Sequence, residues 1–387
     1  MASSPSLVAI AGGGPAAVEA ALALRELAGD RAQIELIAPE SELVVRAYEV
    51  RAPFHEGHEH RYPLRRIAAD FNLQLIRDRL AGVDARARTV SLGSGAPRRY
   101  DVLVVAVGAR HADPLAGAIP FRGAQDANKL KALLSESRSG RRRTIAFVIP
   151  GGHTWPIPVY ELALNTSVWL SDRGVAGVPL AVITPEREPL AAFGARVSRE
   201  VAALLGAHGV QLISGHAVRV DGGRLLLAGG RELDVDAAIA LARLRGPAIH
   251  GLPSDDEGFL PVDELGRVQG VEQVFAAGDA TTFPIKQGGL ATQQADAIAA
   301  SVAAALGAPV PATQFRPVLR AVLFAGRERR YLYAELGENL NDTSKASSTP
   351  LWPDYSKVVG RHLAPYLNRL DEASSAAVAD RPPSATR

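Results

Sequence analysis

The run Leu7–Ala20, LVAIAGGGPAAVEA, constrains this chain more than any other stretch. Its apolar start, Leu7-Val8-Ala9-Ile10, is bounded by glycines, which suits a strand buried on both faces of a parallel sheet. Gly12, Gly14 and Ala17 then stand at G-x-G-x-x-(G/A) spacing before a helical run, AAVEAALALREL. The first small residue permits a tight turn, the second lets the backbone approach a pyrophosphate, and the third lets helix and strand pack closely. The helix start at Pro15-Ala16 aims backbone N–H groups at the anion. The spacing carries weight because it follows a strand and opens a helix.

A second strand, Gln33–Ile37, ends in Ala38-Pro39-Glu40. A dinucleotide fold usually places an acid about 20 residues beyond the glycines, on the adenosine ribose. Here Ala38 holds that place, and Glu40, two residues on, is the candidate ribose contact. The same grammar then returns. Thr144–Ile149 leads through PGG and a helical run to Leu180–Ile183 and Thr184-Pro185-Glu186, about 145 residues further on. Strand, glycines, helix, strand and (A/T)PE occur twice, which predicts a duplicated Rossmann unit.

The second copy is altered. Gly151 and Gly152 remain, but Pro150 takes the first glycine position and His153-Thr154-Trp155-Pro156-Ile157-Pro158 follows. A gapless register puts Trp155 at the third small position. A four-residue insertion keeps Glu161 in helix phase and puts Val159 there. Either way the turn changes, and Pro150, Pro156 and Pro158 remove amides that a pyrophosphate would use. A scaffold and a nicotinamide site formed by Gly151, Gly152, Trp155, Glu161 and Glu186 both stay open.

Two further stretches carry information. Tyr100–Arg110 reads as a buried strand, Val102–Val107, closing at Gly108. Phe275–Asp279 is a strand end at Gly278-Asp279, and Lys286-Gln287-Gly288-Gly289 then precedes a helix from about Leu290. A carboxylate at a strand's C-terminal end lies where open α/β sheets bind ligands. A helix start with a nearby lysine suits negative charge. Short strands are expected at Leu73–Ile76, Ala81–Asp84 and Thr89–Leu92. Beyond residue 310 come strands near Phe315–Phe324 and Arg330–Ala334, a polar mobile stretch Asn339–Ser348, and an amphipathic helix Val358–Leu370. That helix is read as core cover, with a dimer face or a membrane-surface contact as alternatives. The tail 371–387 reads as disordered.

Composition closes off several classes. The 387 residues include 43 basic and 41 acidic ones, a net of +2, which argues against a nucleic-acid partner. Arg141-Arg142-Arg143 reads as a solvated loop. There are no cysteines, which excludes persulfide relays, thiolate nucleophiles and cysteine-ligated metal. The cluster His55-Glu56-Gly57-His58-Glu59-His60 reads as a polar loop, and no metal site is expected. No apolar run approaches the ~20 residues of a membrane span. The first residues, MASSPS, do not resemble a secretory signal, so a cytoplasmic protein is expected.

Gly12–Ala17, Val104–Gly108 and Phe275–Asp279 with Lys286–Gln294 together resemble the FAD/NAD(P)-binding two-dinucleotide oxidoreductases of the pyridine nucleotide-disulfide oxidoreductase type. KQGGLATQQAD and LWPDYSKVVGRHLAPYL are most similar to the branch of sulfide:quinone oxidoreductase-like and type II NADH dehydrogenase-like proteins. Val107 departs from that family's threonine, and the missing cysteines depart from the sulfide oxidisers. The resemblance implies an α/β fold with two Rossmann-like three-layer domains and a small C-terminal α+β domain. The FAD domain would be discontinuous, residues 1–115 and 255–310, around an inserted NAD(P)-type domain, residues 116–254. An interface domain, residues 311–370, would follow.

The cofactor implied is FAD, with NAD(P)H as a candidate substrate. Gly12, Gly14, Pro15, Ala16 and Ala17 would hold the pyrophosphate, Glu40 the ribose, and Gly108, Gly278 and Asp279 the ribityl region. Lys286, Gly288, Gly289 and Leu290 would tune the flavin, the cofactor itself being the only catalytic group expected. The function implied is electron passage from a small donor through the flavin to a quinone-like or other small acceptor, with a homodimer allowed. A flavin-binding regulatory module with a degenerate nicotinamide site and little turnover is the alternative.

Overall fold

The computed structural model describes residues 4–54, 60–112, 114–138, 144–338, 340–353 and 356–379. His55–Glu59 of the histidine loop, the Arg141–Arg143 run and residues 380–387 of the tail lie outside them. The protein is mixed α/β, built on two five-stranded parallel sheets.

The first unit runs β1 (Ser6–Ala11), α1 (Pro15–Ala28), β2 (Ala32–Ile37), β3 (Gln74–Ile76) and β4 (Val102–Val105). The second runs β5 (Ile119–Phe121), β6 (Ile145–Val148), α2 (Ile157–Ser171), β7 (Leu180–Thr184), α3 (Ala195–Ala207), β8 (Val210–Ser214) and β9 (Ala237–Leu241). The chain then returns to the first sheet with β10 (Val274–Ala276) and α4 (Gly288–Ala305). Strand order is β10-β4-β1-β2-β3 in one sheet and β5-β9-β6-β7-β8 in the other. The central strands have no exposed residue, as expected for parallel strands covered on both faces.

The duplication holds at the level of single hydrogen bonds. Leu7 N–H donates to Asp101 Oδ2 at 2.7 Å, and Thr144 N–H donates to Asp236 Oδ2 at 2.7 Å. In each unit one aspartate, just before the inner crossover strand, holds the first strand's entry. Each unit also carries a three-stranded antiparallel meander, Leu80–Arg99 in the first and Ala217–Asp234 in the second. In the second, Gly222 and Gly223 both have positive φ, the conformation a two-residue hairpin turn demands.

The two turns differ as the sequence suggests, but in another register. Ala11 pairs with Ile37 and Val148 with Ile183. The next amides, Gly12 and Ile149, donate to the carbonyls of Ile37 and Ile183, both at 2.8 Å. Ile149, not Pro150, is therefore the counterpart of the first glycine. Residues 12–14 join β1 to α1, whereas 149–156 join β6 to α2, so the second turn is the longer by five residues rather than four. The expected helix phase survives, because Glu19 and Glu161 are each the fifth residue of their helix.

The C-terminal segment corrects three expectations. The polar stretch after residue 338 carries a short helix, Leu340–Thr343, and a strand, Lys345–Ser347. That strand pairs with Glu328–Glu335, which pairs with Val318–Ala325. Its polar groups are used. Asn341 Oδ1 accepts the Ala195 amide at the start of α3, and Ser344 Oγ donates to the Phe193 carbonyl at 2.6 Å.

The final helix, α5, begins at Leu363 rather than Val358 and runs to Ala379, beyond the expected boundary at 370. Its start is fixed by Glu19, which accepts the amides of His362 and Leu363, both at 2.7 Å. A Cβ on Gly360 would lie 2.2 Å from Glu19 Oε2, so that close approach requires glycine. Leu363, Tyr366 and Leu367 pack into the first unit's core with α1, the cover role expected of this segment. No helix among the described residues is long and apolar enough to cross a membrane.

Candidate functional site

One cavity of about 530 Å³ lies at the C-terminal ends of the first sheet's strands. Its floor is the first glycine turn. Gly12 has φ +134°, and a Cβ there would stand 2.2 Å from the Ala106 carbonyl oxygen, where β1 and β4 come together. That is the tight approach the spacing anticipates. Gly14 is the N-cap of α1 with no side-chain cap, and the first turn has no acidic residue. Val18 is the first α1 residue whose amide meets a helix carbonyl, that of Gly14. The amides of Ala16 and Ala17 are thus left for an anion.

Gly12, Gly14, Pro15 and Ala16 line the cavity. Ala17 does not: it is fully buried, packed in the core between α1 and α4 as the third small position requires. Glu40 stands over the turn, with Oε2 3.1 Å from where a Gly13 Cβ would be. It lines the cavity, while Ala38 is fully buried.

The opposite wall comes from the chain's return to this sheet. Gly108, Gly278, Asp279, Lys286 and Gly288 all line it. Gly278 has φ +74°, and its Cβ would meet those of Ala291 at 3.1 Å and Ala16 at 3.4 Å, so glycine lets α1 and α4 close. Its amide donates to Gln294 Oε1 at 2.6 Å. Burial raises the Asp279 carboxyl above its usual range, against the opposing pull of Lys286 and Arg46. Lys286 is buried. Its ammonium donates to the Thr281 carbonyl and stands 3.7 Å over the Phe259 ring. Burial lowers it to about 8, with Asp279, Asp255 and Glu257 opposing.

The start of α4 is capped by its own side chain. Gln287 Oε1 accepts the Leu290 amide at 2.7 Å. Leu290 itself is buried in the second unit's core, and neither it nor Gly289 lines the cavity. The Leu290 amide is thus already bonded to the cap.

Part of the second unit's candidate set reaches the first unit's cavity. Trp155 lines the first unit's cavity with Thr154, Ile157 and Pro158, and its ring packs on Phe193 at 5.9 Å. Gly151, Gly152 and Glu186 do not line it. Glu186 is consumed internally: Tyr160 donates to it at 2.8 Å, Thr184 at 3.2 Å and the Ala191 amide at 3.2 Å. In α2 the Val159 amide is bonded to the Pro156 carbonyl and Pro158 has none, which removes two of the first turn's amides.

A buried ion pair also lines the cavity, and sequence reasoning offered Glu161 for the site but missed its partner Lys357. Glu161 is fully buried, and Lys357 Nζ donates to its two oxygens at 2.5 and 2.7 Å. The Phe324 amide adds 2.9 Å to Glu161, and Lys357 Nζ also reaches the Ala47 carbonyl at 3.0 Å. Burial pushes the Glu161 carboxyl up and the Lys357 ammonium down, while their mutual attraction opposes both shifts. Both residues, and Val358, line the cavity. No local pattern marks Lys357. Arg46 also lines the cavity.

Known proteins agree with this architecture. Residues 6–299 match the family described as pyridine nucleotide-disulphide oxidoreductase. The chain is 29% identical over 282 residues to the ferredoxin–NAD(+) reductase component of a biphenyl dioxygenase system from Paraburkholderia xenovorans. That match covers 64% of this chain and 60% of the relative's length. Among solved structures, the sulfide:quinone oxidoreductase of Aquifex aeolicus superposes with a TM-score of 0.78 at 19% identity, covering 95% of this chain and 90% of that one. A ferredoxin reductase from Rhodopseudomonas palustris gives 0.66 at 20% identity, covering 85% and 82%.

Proposed function

The chain belongs to the pyridine nucleotide-disulphide oxidoreductase family, and on that premise we propose that it is an FAD-dependent oxidoreductase passing electrons from a small donor to a small or protein-borne acceptor. The observation that carries the reading is the single cavity in which Gly12–Ala16, Asp279, Lys286 and the start of α4 converge. The residues present fit FAD. The open α1 amides suit its pyrophosphate, Glu40 its adenosine ribose and Asp279 its ribityl hydroxyls. The amide-rich start of α4 and the Lys286 ammonium place positive potential beside the flavin ring. When bound, FAD supplies the redox chemistry, accepting and returning two electrons. The protein's share is to bind, to orient and to keep water out. Val358 and the Glu161–Lys357 pair close the cavity from the C-terminal side.

The donor proposed is NAD(P)H, approaching from the second unit beside Trp155. The relative named as a ferredoxin–NAD(+) reductase component supports both that donor and a ferredoxin-type acceptor. A quinone-like acceptor is supported by the fold shared with a sulfide:quinone oxidoreductase. Sulfide oxidation through cysteine persulfides has no support, because the chain has no cysteine. The cytoplasm is the proposed location.

The test is anaerobic mixing of purified protein with NADH or NADPH while following flavin absorbance. Bleaching within seconds, followed by reoxidation with a quinone or a ferredoxin, is the expected result. The used-up Glu186 and the proline-rich second turn favour a second reading, a flavin-binding module with little turnover. A bound flavin that neither nicotinamide bleaches would support that module instead. Protein that neither carries nor takes up FAD would end both readings.

A further inference from the structure

Away from this cavity, three helices converge on a second cluster of titratable groups. Glu19 and Glu26 lie two turns apart on α1, Asp296 comes from α4, and His362 immediately precedes α5. One ligand atom each from Glu19, Asp296 and His362 lie within 4.8 Å of one another. Donors around a first-row divalent ion sit about 2.0–2.2 Å from it, hence roughly 3–4.4 Å apart. Movements on the order of 1 Å would bring the three atoms to the separations of donors on one ion.

The hydrogen bonding of His362 points the same way. Its side chain is 10% exposed, and Nδ1 lies 3.0 Å from Glu26 Oε2. An Nδ1–H given to that carboxylate leaves a lone pair on Nε2, the arrangement in which carboxylates orient metal-binding imidazoles. Nε2 faces Asp296 Oδ1 at 3.9 Å. That oxygen is buried and has no hydrogen-bond partner among the described residues. At that separation the two atoms are too far apart to hydrogen-bond to each other. Asp296 and His362 also line a second cavity, with Gln293 and Arg361.

We propose that Glu19, Asp296 and His362 form a divalent-cation site of mixed nitrogen and oxygen donors, suited to Zn²⁺, with Glu26 as the positioning residue for the imidazole. The site ties α1, α4 and the start of α5 together. It is independent of the flavin reading.

The test is calorimetric titration of the chelator-treated full-length protein with ZnCl₂. The expected result is one ion per chain whose binding weakens about 100-fold or more in His362→Gln and Asp296→Asn. Glu26→Gln, a change at a mostly exposed side chain, should weaken it roughly 10-fold, as removal of outer-shell partners does. Circular dichroism melts confirm that each variant is folded. Absence of stoichiometric binding to the wild type would overturn the proposal. So would binding that His362→Gln and Glu26→Gln leave unchanged, which would place the ion elsewhere.

Discussion

Single residues decide whether the cavity exists. Gly12 touches the Ala106 carbonyl so closely, at φ +134°, that any Cβ must displace one strand end. Gly12→Ala should yield colourless protein destabilised by about 1–3 kcal/mol, checked by flavin absorbance and a thermal melt. Retained flavin and an unshifted melt would contradict the packing described. Lys286 makes a pH prediction. In the cofactor-free fold, burial holds its ammonium at about 8 against an ordinary 10.5. The unfolded chain binds more protons between those values, so stability rises with pH across that window. The penalty is fully present below pH 8 and gone above 10.5. Lys286→Met removes it, so the variant's advantage in a urea melt should be largest near pH 7 and shrink toward pH 10.5. An advantage constant with pH would mean the ammonium is not held down. At this scale Gly12, Gly14 and Asp279 were legible because their neighbours in sequence are also their neighbours in space. The Gln287 side chain, three residues before Leu290, satisfies that residue's amide, a cap that the helix start did not advertise.

At the scale of elements, the two crossover helices carry the same device. Glu19 in α1 and Glu161 in α2 occupy the same helical position, both fully buried, and both receive donors from the C-terminal segment. Glu19 takes backbone amides, and Glu161 takes the Lys357 ammonium. Breaking a buried ion pair strands one charge and typically costs 3–5 kcal/mol, whereas replacing both partners by apolar groups is often near neutral (roughly 0 to +4 kcal/mol of stabilisation). Glu161→Gln should therefore be strongly destabilising. The double variant Glu161→Met with Lys357→Met should be less destabilised than the sum of its single changes, as a urea double-mutant cycle will show. Simple additivity would mean that the pair is not coupled. The second helix start makes a kinetic prediction. If Trp155 obstructs the approach of the nicotinamide, Trp155→Gly should raise the rate of flavin reduction by NADH about tenfold, or ~1.4 kcal/mol of barrier. Unchanged or slower reduction in stopped flow would count against obstruction. Both helices were legible from their apolar runs. The length of the turn before α2 was not, because only the pairing of Val148 with Ile183 fixes where that strand ends.

At the scale of the whole molecule, the cavity is assembled from distant parts of the chain. Its floor lies near residue 12, one wall near 279, its edge near 155 and its closure near 357. The C-terminal segment should therefore be required for cofactor retention. A chain ending at Ser348 lacks Lys357, Val358 and α5, and should lose flavin on gel filtration while the parallel sheets persist by circular dichroism. Full retention of flavin would assign the closure to other residues.

The sequence by itself determined the duplicated strand–turn–helix units, the dinucleotide turn and the acid at the strand end. These are written in local periodicity and spacing, which the backbone obeys wherever the chain goes. It also ruled out thiol chemistry by containing no cysteine. Tertiary structure alone decided that Glu186 is spent on Tyr160, that Glu161 faces the first unit's cavity and that Lys357 is its partner. Buried charges must find counter-charges or donors, and which ones they find depends on how the units and the C-terminal segment pack, not on spacing along the chain.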